Sequence, residues 1–319
     1  MSATARAEDV AAILNLARRQ YTPAGLAIGD ALSRRWLARN PTPLAAEIAA
    51  VARVVGRPGA HLLNLSYEWG CTCGANATRA PVLLRVLDWD LPGLGETLCV
   101  IRQRGPAGEW WHIGWPGLVG AITALAPGRF GIAINQPPLP LTRAGGALRR
   151  MGARVPGMLA DWLAARPAAW RSRALPPAHL LRMIADDAPD YATALDRLRD
   201  TPLAAAATFT LIGARPGEAA VIERTPARHA IRAGERLAAT NHWESLPDAG
   251  APRWRESRPR LAAMEALLEA GVPDGLDWLR PPLLNAGTRL AAVMRPAEGR
   301  LVLAGFAGER RVSEVLALG

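Results

Sequence analysis

The part of this sequence best suited to chemistry is a cysteine that directly follows a glycine. Cys71 follows Gly70, and Arg85 and Asp88 lie a short distance further along the chain. The thiolate is the nucleophilic form of cysteine, and a cysteine with a free α-amino group carries a base next to its own sulfur. Since Cys71 is far from Met1, cleavage of the Gly70–Cys71 bond would have to create that amine. These residue types therefore predict a thiol hydrolase that first cuts its own chain.

The cleavage step suggests a role for each of these residues. The thiol of Cys71 would attack the carbonyl of Gly70, and hydrolysis of the resulting thioester would free the amine. Glycine suits this position because it has no Cβ and adopts a strained backbone without steric cost. Arg85 and Asp88 are expected at one strand end as an ion-paired couple, with Asp88 orienting the α-amine and Arg85 stabilising negative charge. The alternatives are an inert cysteine buried in a strand and a surface ion pair of little energetic value.

A second thiol, Cys73, leaves open which cysteine acts. A Cys-x-Cys pair can contribute to a metal site, but zinc normally takes four ligands and the sequence has no further Cys/His cluster at ligand spacing. We therefore expect neither a metal nor another cofactor. Three cysteines in 319 residues also argue against a disulfide framework.

The elements that must position these residues fall into blocks. Residues 1–60 predict helices, because apolar residues recur there at helical spacing. Short runs divided by Gly, Pro and Asn predict strands. The predicted strands cover residues 62–68, 71–77, 82–87, 97–102, 118–123, 130–135, 209–214, 219–223, 229–232, 237–240, 290–294 and 301–304. Helices are predicted over residues 147–200 and 261–268. Strand blocks separated by helical blocks predict antiparallel sheets with helices packed outside.

The composition argues against several partners and locations. All 38 cationic residues are Arg, which is typical of a GC-rich bacterial genome, and the formal net charge is +10. The arginines are scattered instead of clustered, so no nucleic-acid partner is expected. The first residues have no apolar signal segment, and no apolar stretch is long enough to span a bilayer. We expect a cytoplasmic enzyme without stable membrane insertion, with a homo-oligomer left open.

Several motifs resemble one group of enzymes. Residues 64–68 (Asn-Leu-Ser-Tyr-Glu), then Cys71-Thr72, Arg85 and Asp88, resemble the Asn-x-x-Tyr-Glu, Cys-Thr and Arg-x-x-Asp series of acid ceramidase and N-acylethanolamine acid amidase. Residues 115–135 are similar to a ceramidase segment that ends in Asn-Glu-Arg. Residues 70–72 resemble the cleavage point of the penicillin-forming acyl-coenzyme A acyltransferase, and residues 257–258 resemble the Ser-Arg before a helix in choloylglycine hydrolases. All of these are cysteine hydrolases of the N-terminal-nucleophile (Ntn) superfamily.

This resemblance implies a fold, a division of the chain and a set of site residues. The implied fold is α+β, an αββα four-layer sandwich with two stacked antiparallel sheets. Residues 1–70 would be a helical prosegment that is retained as a subunit, and residues 71–319 would be the catalytic domain. The implied roles are Cys71 as nucleophile, Arg85 and Asp88 as its assistants, Asn135 (backbone N–H) and Asn241 (side chain) as oxyanion donors, and Arg258 as a second active-site arginine. Arg260 is the alternative to Arg258, since Pro259 blurs the local register.

The resemblance implies hydrolysis of a linear amide bond in a small N-acyl substrate through a thioester. An acyltransferase that passes the acyl group to an amine shares every catalytic residue and stays open, as does an inactive scaffold with a binding role. Gln136-Pro137 replaces the Glu-Arg of the ceramidase motif, so the ceramidase substrate cannot be carried over. Trp110, Trp111 and Trp115 are expected beside the site, where they would suit an apolar acyl chain.

Overall fold

The computed structural model describes residues 7–40, 42–65, 69–152, 160–161, 167, 169–248, 250–251 and 256–319. Tyr67 and Glu68, which contribute to the resemblance above, lie outside the described residues. Helices and strands alternate in blocks along the described chain. None of the described helices combines the length and hydropathy that a membrane span requires.

Four helices precede the first strand: α1 Ala7–Tyr21, α2 Pro23–Arg39, α3 Ala45–Val55 and α4 Ala60–Leu65. The hydroxyl of Thr22 accepts the N–H of Gly25 (3.2 Å), and Pro23 occupies the first turn of α2, which together form a favourable helix start. Helix α3 ends at Gly56, whose left-handed conformation (φ 67°) favours glycine.

The strand predicted over residues 62–68 is wrong where the structure describes it, because the chain stays helical to Leu65. The cause lies in α2. The carboxylate of Asp30 accepts the backbone N–H of His61 (2.8 Å) and that of Leu62 (3.4 Å). Asp30 thereby binds donors that the start of a helix leaves free. The residues around α4 carry no sequence signal for a cap that a separate helix supplies.

Two seven-stranded antiparallel sheets form the body of the protein. The strands of the first sheet are β1 Trp69–Asn76, β2 Val82–Trp89, β11 Arg236–Ala239, β13 Thr288–Arg295, β14 Arg300–Ala307, β15 Arg310–Arg311 and β16 Leu316–Leu318. The strands of the second sheet are β3 Cys99–Gly105, β4 Gly108–Gly114, β5 Thr123–Ala126, β6 Phe130–Asn135, β8 Ala207–Gly213, β9 Ala219–Arg224 and β10 His229–Ala233. Two short strands, β7 Leu139–Pro140 and β12 Gly250–Ala251, pair separately. The prediction of an α+β sandwich with two stacked antiparallel sheets is confirmed.

Within the first sheet the strands run in the order β11, β1, β2, β13, β14 and β15, and β16 also pairs with β14. The strands of the second sheet run in the order β10, β9, β8, β6, β5, β4 and β3.

The strand predicted over 118–123 begins only at Thr123, and strand β4 was not predicted. The segment between β6 and β8 includes helix α5 Arg143–Arg150, helix α6 Pro177–Asp187 and helix α7 Tyr191–Asp200. The predicted helix over 147–200 is thus divided, in part by Pro177.

Helix α8, Ser257–Ala270, packs on the outer face of the first sheet. Gly74 of β1 permits a close approach, because a Cβ added there would overlap the sulfur of Met264. Met264 and Leu268 pack with Leu84 and Val86 of β2 in one buried cluster. The beginning of α8 is thereby held over β1 and β2, beside Cys71.

The N-terminal segment contacts the rest of the protein through polar groups as well as apolar ones. The side chain of Asn64 accepts the N–H of Val119 (2.7 Å) and donates to the carbonyl of Gly117 (2.8 Å). Thr42 contacts His179 of α6 (Oγ1 to Nδ1, 2.8 Å). Glu47 also forms an ion pair with Arg182 of α6 (2.9 Å). The interface of the N-terminal segment with the loop at residues 117–119 and with α6 is therefore specific in its hydrogen bonding.

The lowered pKa values of two buried histidines predict that acid destabilises the fold. Burial, with Arg182 nearby, lowers the pKa of His112 to about 3 and that of His179 to about 4. The unfolded chain binds protons near pH 6.5 while the folded protein does not. This stability is present above pH 6.5 and is lost as the pH falls. From pH 7 to pH 5 each histidine should cost about 2 kcal/mol of unfolding free energy.

Urea unfolding at both pH values checks this expectation, with His112→Leu as the test variant and the exposed His229→Leu as its control. Neither ring nitrogen of His112 has a hydrogen-bond partner among the described residues, so leucine removes the proton-linked penalty without orphaning a polar group. His112→Leu should lose about 2 kcal/mol less than wild type between pH 7 and pH 5. Equal losses in wild type and His112→Leu would contradict the assignment.

Candidate active site

The two thiols lie on the inner face of β1, between the sheets. Cys71 and Cys73 are two residues apart in a strand and so share a face, and both are fully buried. The sulfur of Cys71 is 3.6 Å from the carbonyl oxygen of Ile134, and the backbone N–H of Gln136 faces it and favours its thiolate form. Burial raises the pKa of Cys71 to about 12, and Arg85 opposes this shift. In the intact chain Cys71 is therefore a protonated thiol.

Arg85 faces the thiols from the neighbouring strand. It lies opposite Cys73 in the β1–β2 register. Its Nη1 donates to Cys73 Sγ (3.3 Å) and to Asn135 Oδ1 (2.6 Å), and its Nη2 donates to the carbonyl of Ile134 (2.8 Å). This buried guanidinium thus joins β1, β2 and β6 and places a positive charge beside both sulfurs. The same geometry lets it stabilise a thiolate.

The expected ion pair between Arg85 and Asp88 does not form, since the two residues point to opposite faces of β2. They are three positions apart, and side chains alternate along a strand. Asp88 lies on the outer face, opposite Gly70, and its ion-pair partner is Arg260 (3.4 Å). The correction separates the site into an inner half with the thiols and an outer half with the carboxylate.

Asp88 is fully buried and surrounded by donors. Asn285 Nδ2 and Thr288 Oγ1 each lie 3.1 Å from Asp88 Oδ1, and Arg260 Nη1 lies 3.4 Å from Asp88 Oδ2. Burial raises the pKa of Asp88 above its ordinary value, and Arg260 is the largest opposing influence. The sequence did not predict Asn285 and Thr288 as site residues, because nothing in the sequence around β13 indicates that this segment lies next to Asp88 in the fold.

Arg260 holds the outer half together, and the predicted Arg258 lies outside that half. The Nη1 of Arg260 donates to the carbonyl of Cys71 (2.7 Å) and to Thr72 Oγ1 (2.8 Å), and the Nη2 of Arg260 donates to Asn241 Oδ1 (3.0 Å). Arg260 is fully buried, whereas Arg258 is exposed. The cause is helical geometry, since Arg260 shares the sheet-facing side of α8 with the buried apolar residues. The structure thus places the alternative arginine in the site.

Asn241 contacts the main chain of the candidate nucleophile. Its Oδ1 accepts the backbone N–H of Cys71 (2.8 Å), and its Nδ2 donates to the carbonyl of Gln136 (2.9 Å). Asn135 lies in the inner half, where its Nδ2 donates to the carbonyl of Ala239 (2.8 Å). The backbone donor at the Cys71 sulfur belongs to Gln136, one residue beyond the predicted Asn135. Both asparagines are therefore at the site.

Comparisons with known proteins identify the fold. Residues 159–274 match the family model of acyl-coenzyme A:6-aminopenicillanic acid acyl-transferase. A solved structure, the Caenorhabditis elegans ortholog of N-acylethanolamine-hydrolyzing acid amidase, superimposes with a TM-score of 0.53 at 16% identity, covering 71% of this chain and 93% of that chain. The chain has the Ntn-hydrolase fold. The family model spans Asn241 and Arg260 but not Cys71.

A more distant solved structure is a mutant of the conjugated bile acid hydrolase from Clostridium perfringens. It superimposes with a TM-score of 0.45 at 9% identity, covering 78% of this chain and 92% of that chain. A search of curated protein sequences found no significant match.

A small apolar cavity of about 40 Å³ lies between the N-terminal helices and the sheets, and Trp69 on the strand of the thiols is part of its lining. Trp69, two residues before Cys71, packs at a tilt of 57° against Trp89 (ring centroids 5.5 Å), which meets Trp115 edge-on (6.1 Å). The other lining residues include Ile13, Leu14, Val51, Leu63, Leu94 and Ile122. The cavity is apolar, but its volume corresponds to only a few water molecules, so an acyl chain would enter it only if the lining moved apart.

Of the three tryptophans expected beside the site, only Trp115 lines this cavity. Trp110 is fully buried in the core and its Nε1 donates to Asp186 (2.6 Å). Trp111 pairs with Leu125 in the second sheet. The sequence analysis did not predict Trp69 and Trp89 as cavity residues. The two residues lie opposite each other in the β1–β2 register, so their side chains share one face of the sheet.

Gln136 carries a buried side-chain amide at the site. Its side chain is 1% exposed, and its Nε2 has no hydrogen-bond partner among the residues that the structure describes. A buried amide without a partner costs free energy, so a ligand that accepts from Nε2 would gain that interaction. Within the described part of the chain, no three side chains of the metal-binding types His, Cys, Asp and Glu come close enough to hold a metal ion.

Proposed function

We propose that this protein is a cysteine amidohydrolase that first cleaves its own chain between Gly70 and Cys71. The observation that carries the proposal is the convergence of remote segments on one residue. The N–H, carbonyl and sulfur of Cys71 are contacted by Asn241, Arg260 and Gln136 respectively. An inert cysteine in a strand needs hydrogen bonds only to its neighbouring strands, whereas an N-terminal nucleophile must have all three groups held.

Self-cleavage proceeds through an N-to-S acyl shift. The thiol of Cys71 attacks the carbonyl carbon of Gly70, a C–S bond forms, the C–N bond breaks and the proton passes to the nitrogen of Cys71. Water then hydrolyses the thioester and leaves the carboxylate of Gly70 and the free thiol. The new α-amine lies where Asn241 Oδ1 now accepts the N–H of Cys71 (2.8 Å). With an ordinary pKa of about 8, that amine can serve as the base.

Amide hydrolysis then uses the same groups. The α-amine takes the proton of the Cys71 thiol, and Arg85 on the inner face stabilises the thiolate. Attack on the substrate carbonyl creates an oxyanion, for which Asn241 Nδ2 and the backbone N–H at residues 135–136 are the candidate donors. Collapse expels the amine, which leaves with a proton from the α-ammonium, and water releases the acid from the thioester. Asp88 and Arg260 hold the main chain at Cys71 in place.

The proposed substrate is an N-acyl compound with an apolar acyl chain. The cavity beside Trp69, Trp89 and Trp115 provides apolar surface for that chain, which enters when the cavity lining moves apart. The Nε2 of Gln136, unpaired within the described structure, can donate to a polar group of the substrate. The amidase of the C. elegans structure acts, by its name, on N-acylethanolamines, and a substrate of this general class suits a cavity of this character.

We further propose that residues 1–70 stay bound after cleavage as a subunit of the catalytic domain, residues 71–319. The contacts of Asn64 with Val119 and Gly117, and that of Glu47 with Arg182, cross from one segment to the other. The cavity also needs both segments, because Ile13 and Leu63 line it together with Trp115.

Acyl transfer to an amine is the second candidate function, because residues 159–274 match an acyltransferase model. The thioester on Cys71 is common to both reactions, and only the acceptor differs. Trapping that thioester tests the shared step, and a competing amine separates the two outcomes.

The test is a panel of N-acyl amides of increasing chain length, quenched in acid within seconds and followed by intact-mass measurement. We expect the mass of one acyl group on the chain that begins at Cys71, and a cysteine variant on edge strand β3, Cys99→Ala, should behave as wild type. Release of free acid supports the hydrolase, and amide product with an added amine supports the transferase. If no panel member acylates the protein and none is turned over, the proposed function is wrong.

A further inference from the structure

A second polar cluster lies around the backbone of Asn241, apart from the groups that touch Cys71. Ser257 Oγ accepts the backbone N–H of Asn241 (3.0 Å) and lies 3.1 Å from Thr240 Oγ1. His242 Nδ1 lies 2.7 Å from Ser257 Oγ. Ser257 is 3% exposed and His242 is 5% exposed. Three buried side chains thus fix one peptide unit at the candidate oxyanion residue.

The cluster continues on the far side of the imidazole ring. His242 Nε2 lies 2.6 Å from Glu244 Oε1. The segment that carries Glu244 is itself fixed, because Glu223 of β9 accepts the backbone N–H groups of Glu244 (2.8 Å), Ser245 (3.0 Å) and Leu246 (2.9 Å). Glu223 is 1% exposed. A continuous series of contacts therefore runs from the second sheet to the backbone of Asn241.

The imidazole ring of His242 contacts both hydroxyls of the cluster. Its Nδ1 lies 2.7 Å from Ser257 Oγ and 3.1 Å from Thr240 Oγ1, whereas its Nε2 is within ion-pair distance of Glu244 but is not aligned for a hydrogen bond to it. Ser257 Oγ accepts the N–H of Asn241 and donates to Thr240 Oγ1, so Nδ1 and the two hydroxyls form one set around the Asn241 peptide. The charged groups that face His242 are Glu244, Glu223 and Arg258. Burial is the largest influence and lowers the pKa of His242, which favours the neutral ring.

We propose that His242 is a positioning residue for amide hydrolysis. It orients the hydroxyl of Ser257, which holds the peptide of Asn241 so that the Asn241 side chain stays aimed at Cys71 and Gln136. The inference rests on the proposed function, in which Asn241 stabilises the oxyanion. Ser257 is not itself a nucleophile, because its oxygen is buried and bound to the N–H of Asn241.

The position of Asn241 matters most in the transition state, where charge develops on the substrate oxygen. A displacement of about 1 Å in such a donor can cost about 100-fold in rate. Ground-state binding in the apolar cavity does not involve Asn241. Loss of the His242 contact should therefore lower kcat, referred to the fraction of Cys71 that can be alkylated, more than it changes KM.

The experiment compares His242→Leu and His242→Asn in the self-processed protein. Leucine removes the ring nitrogen that contacts Ser257 and Thr240, and we expect kcat to fall at least about tenfold with KM within about twofold. Asparagine places an oxygen near the Nδ1 position and should restore most of kcat. His229→Asn, on the exposed strand β10, is the matched control and should equal wild type. The alkylation rate of Cys71 by iodoacetamide should stay unchanged in all three variants, since the nucleophile is intact.

A double-mutant cycle with Asn241→Ala completes the test. If His242 acts through Asn241, His242→Leu should have little further effect on kcat in the Asn241→Ala background. An active wild type whose His242→Leu variant keeps its kcat would overturn this inference alone. Failure of His242→Leu to self-process, or slower alkylation of Cys71, would show a structural role and would also overturn it. A wild type without amidase activity would overturn the proposed function, and this inference with it.

Discussion

Cys71→Ala is expected to remain a single chain of full length and to lose amide hydrolysis by at least about 10⁴-fold. The variant lacks the sulfur that attacks Gly70, so the α-amine that serves as the base is never formed. The effect is large because the nucleophile and its base both depend on one residue. Intact-mass measurement after incubation reports the cleavage, and release of acid from the best N-acyl amide reports the activity.

Cys73→Ser is the matched control for Cys71→Ala. The thiol of Cys73 accepts from Arg85 and contacts Asn135 Oδ1 (3.1 Å), and a hydroxyl can make both hydrogen bonds. We expect Cys73→Ser to self-cleave and to keep activity within about tenfold of wild type. A Cys73→Ser protein that stays whole while Cys71→Ala is cut would contradict the assignment and make Cys73 the nucleophile.

Arg260→Met is expected to destabilise the protein by about 3–5 kcal/mol, because it leaves the buried carboxylate of Asp88 without its ion-pair partner. The variant also loses the hydrogen bonds to the carbonyl of Cys71, to Thr72 and to Asn241. Self-cleavage should be blocked or slowed, since the main chain at Cys71 loses its support. Urea unfolding at pH 7 measures the first effect and intact mass the second.

Arg258→Met is the control for that change, two residues away on the same helix. Arg258 is exposed, so its removal should change the free energy of unfolding by less than about 0.5 kcal/mol. The double variant Arg260→Met/Asp88→Asn removes the orphaned charge, and it should recover part of the stability but not the activity. If Arg258→Met proved more damaging than Arg260→Met, the placement of α8 over the site would be wrong.

Much of the fold could be predicted because its signals are local. Turn residues and short apolar runs located β1, β2, β6, β8 and the closing hairpin. The alternation of side chains along a strand also predicts which residues share a face of the sheet. Arg85 and Asp88 are three residues apart, so they had to face opposite sides of β2. Likewise, Arg260 is four residues before Met264 on α8, which places it on the apolar side of that helix.

Other features had no local signal. Residues 62–65 are apolar enough for a strand, and only the carboxylate of Asp30 from a neighbouring helix explains why they are helical. Asn285 and Thr288 reach Asp88 from a segment far away in the sequence. Their amide and hydroxyl groups are common in turns, so their presence alone predicts nothing. Long-range pairing between ordinary polar residues decides most of the site, and only the three-dimensional structure reveals it.

The central claim is that Cys71 becomes an N-terminal nucleophile, and the direct test is to look for its free amine. Purified wild type is incubated, treated with a 2-cyanobenzothiazole reagent that is selective for N-terminal cysteine, and measured by intact mass, with Cys71→Ala in parallel. We predict two wild-type fragments that meet between Gly70 and Cys71, with the reagent bound only to the fragment that begins at Cys71. A wild-type chain that stays whole and unlabelled after long incubation, like Cys71→Ala, would contradict the claim.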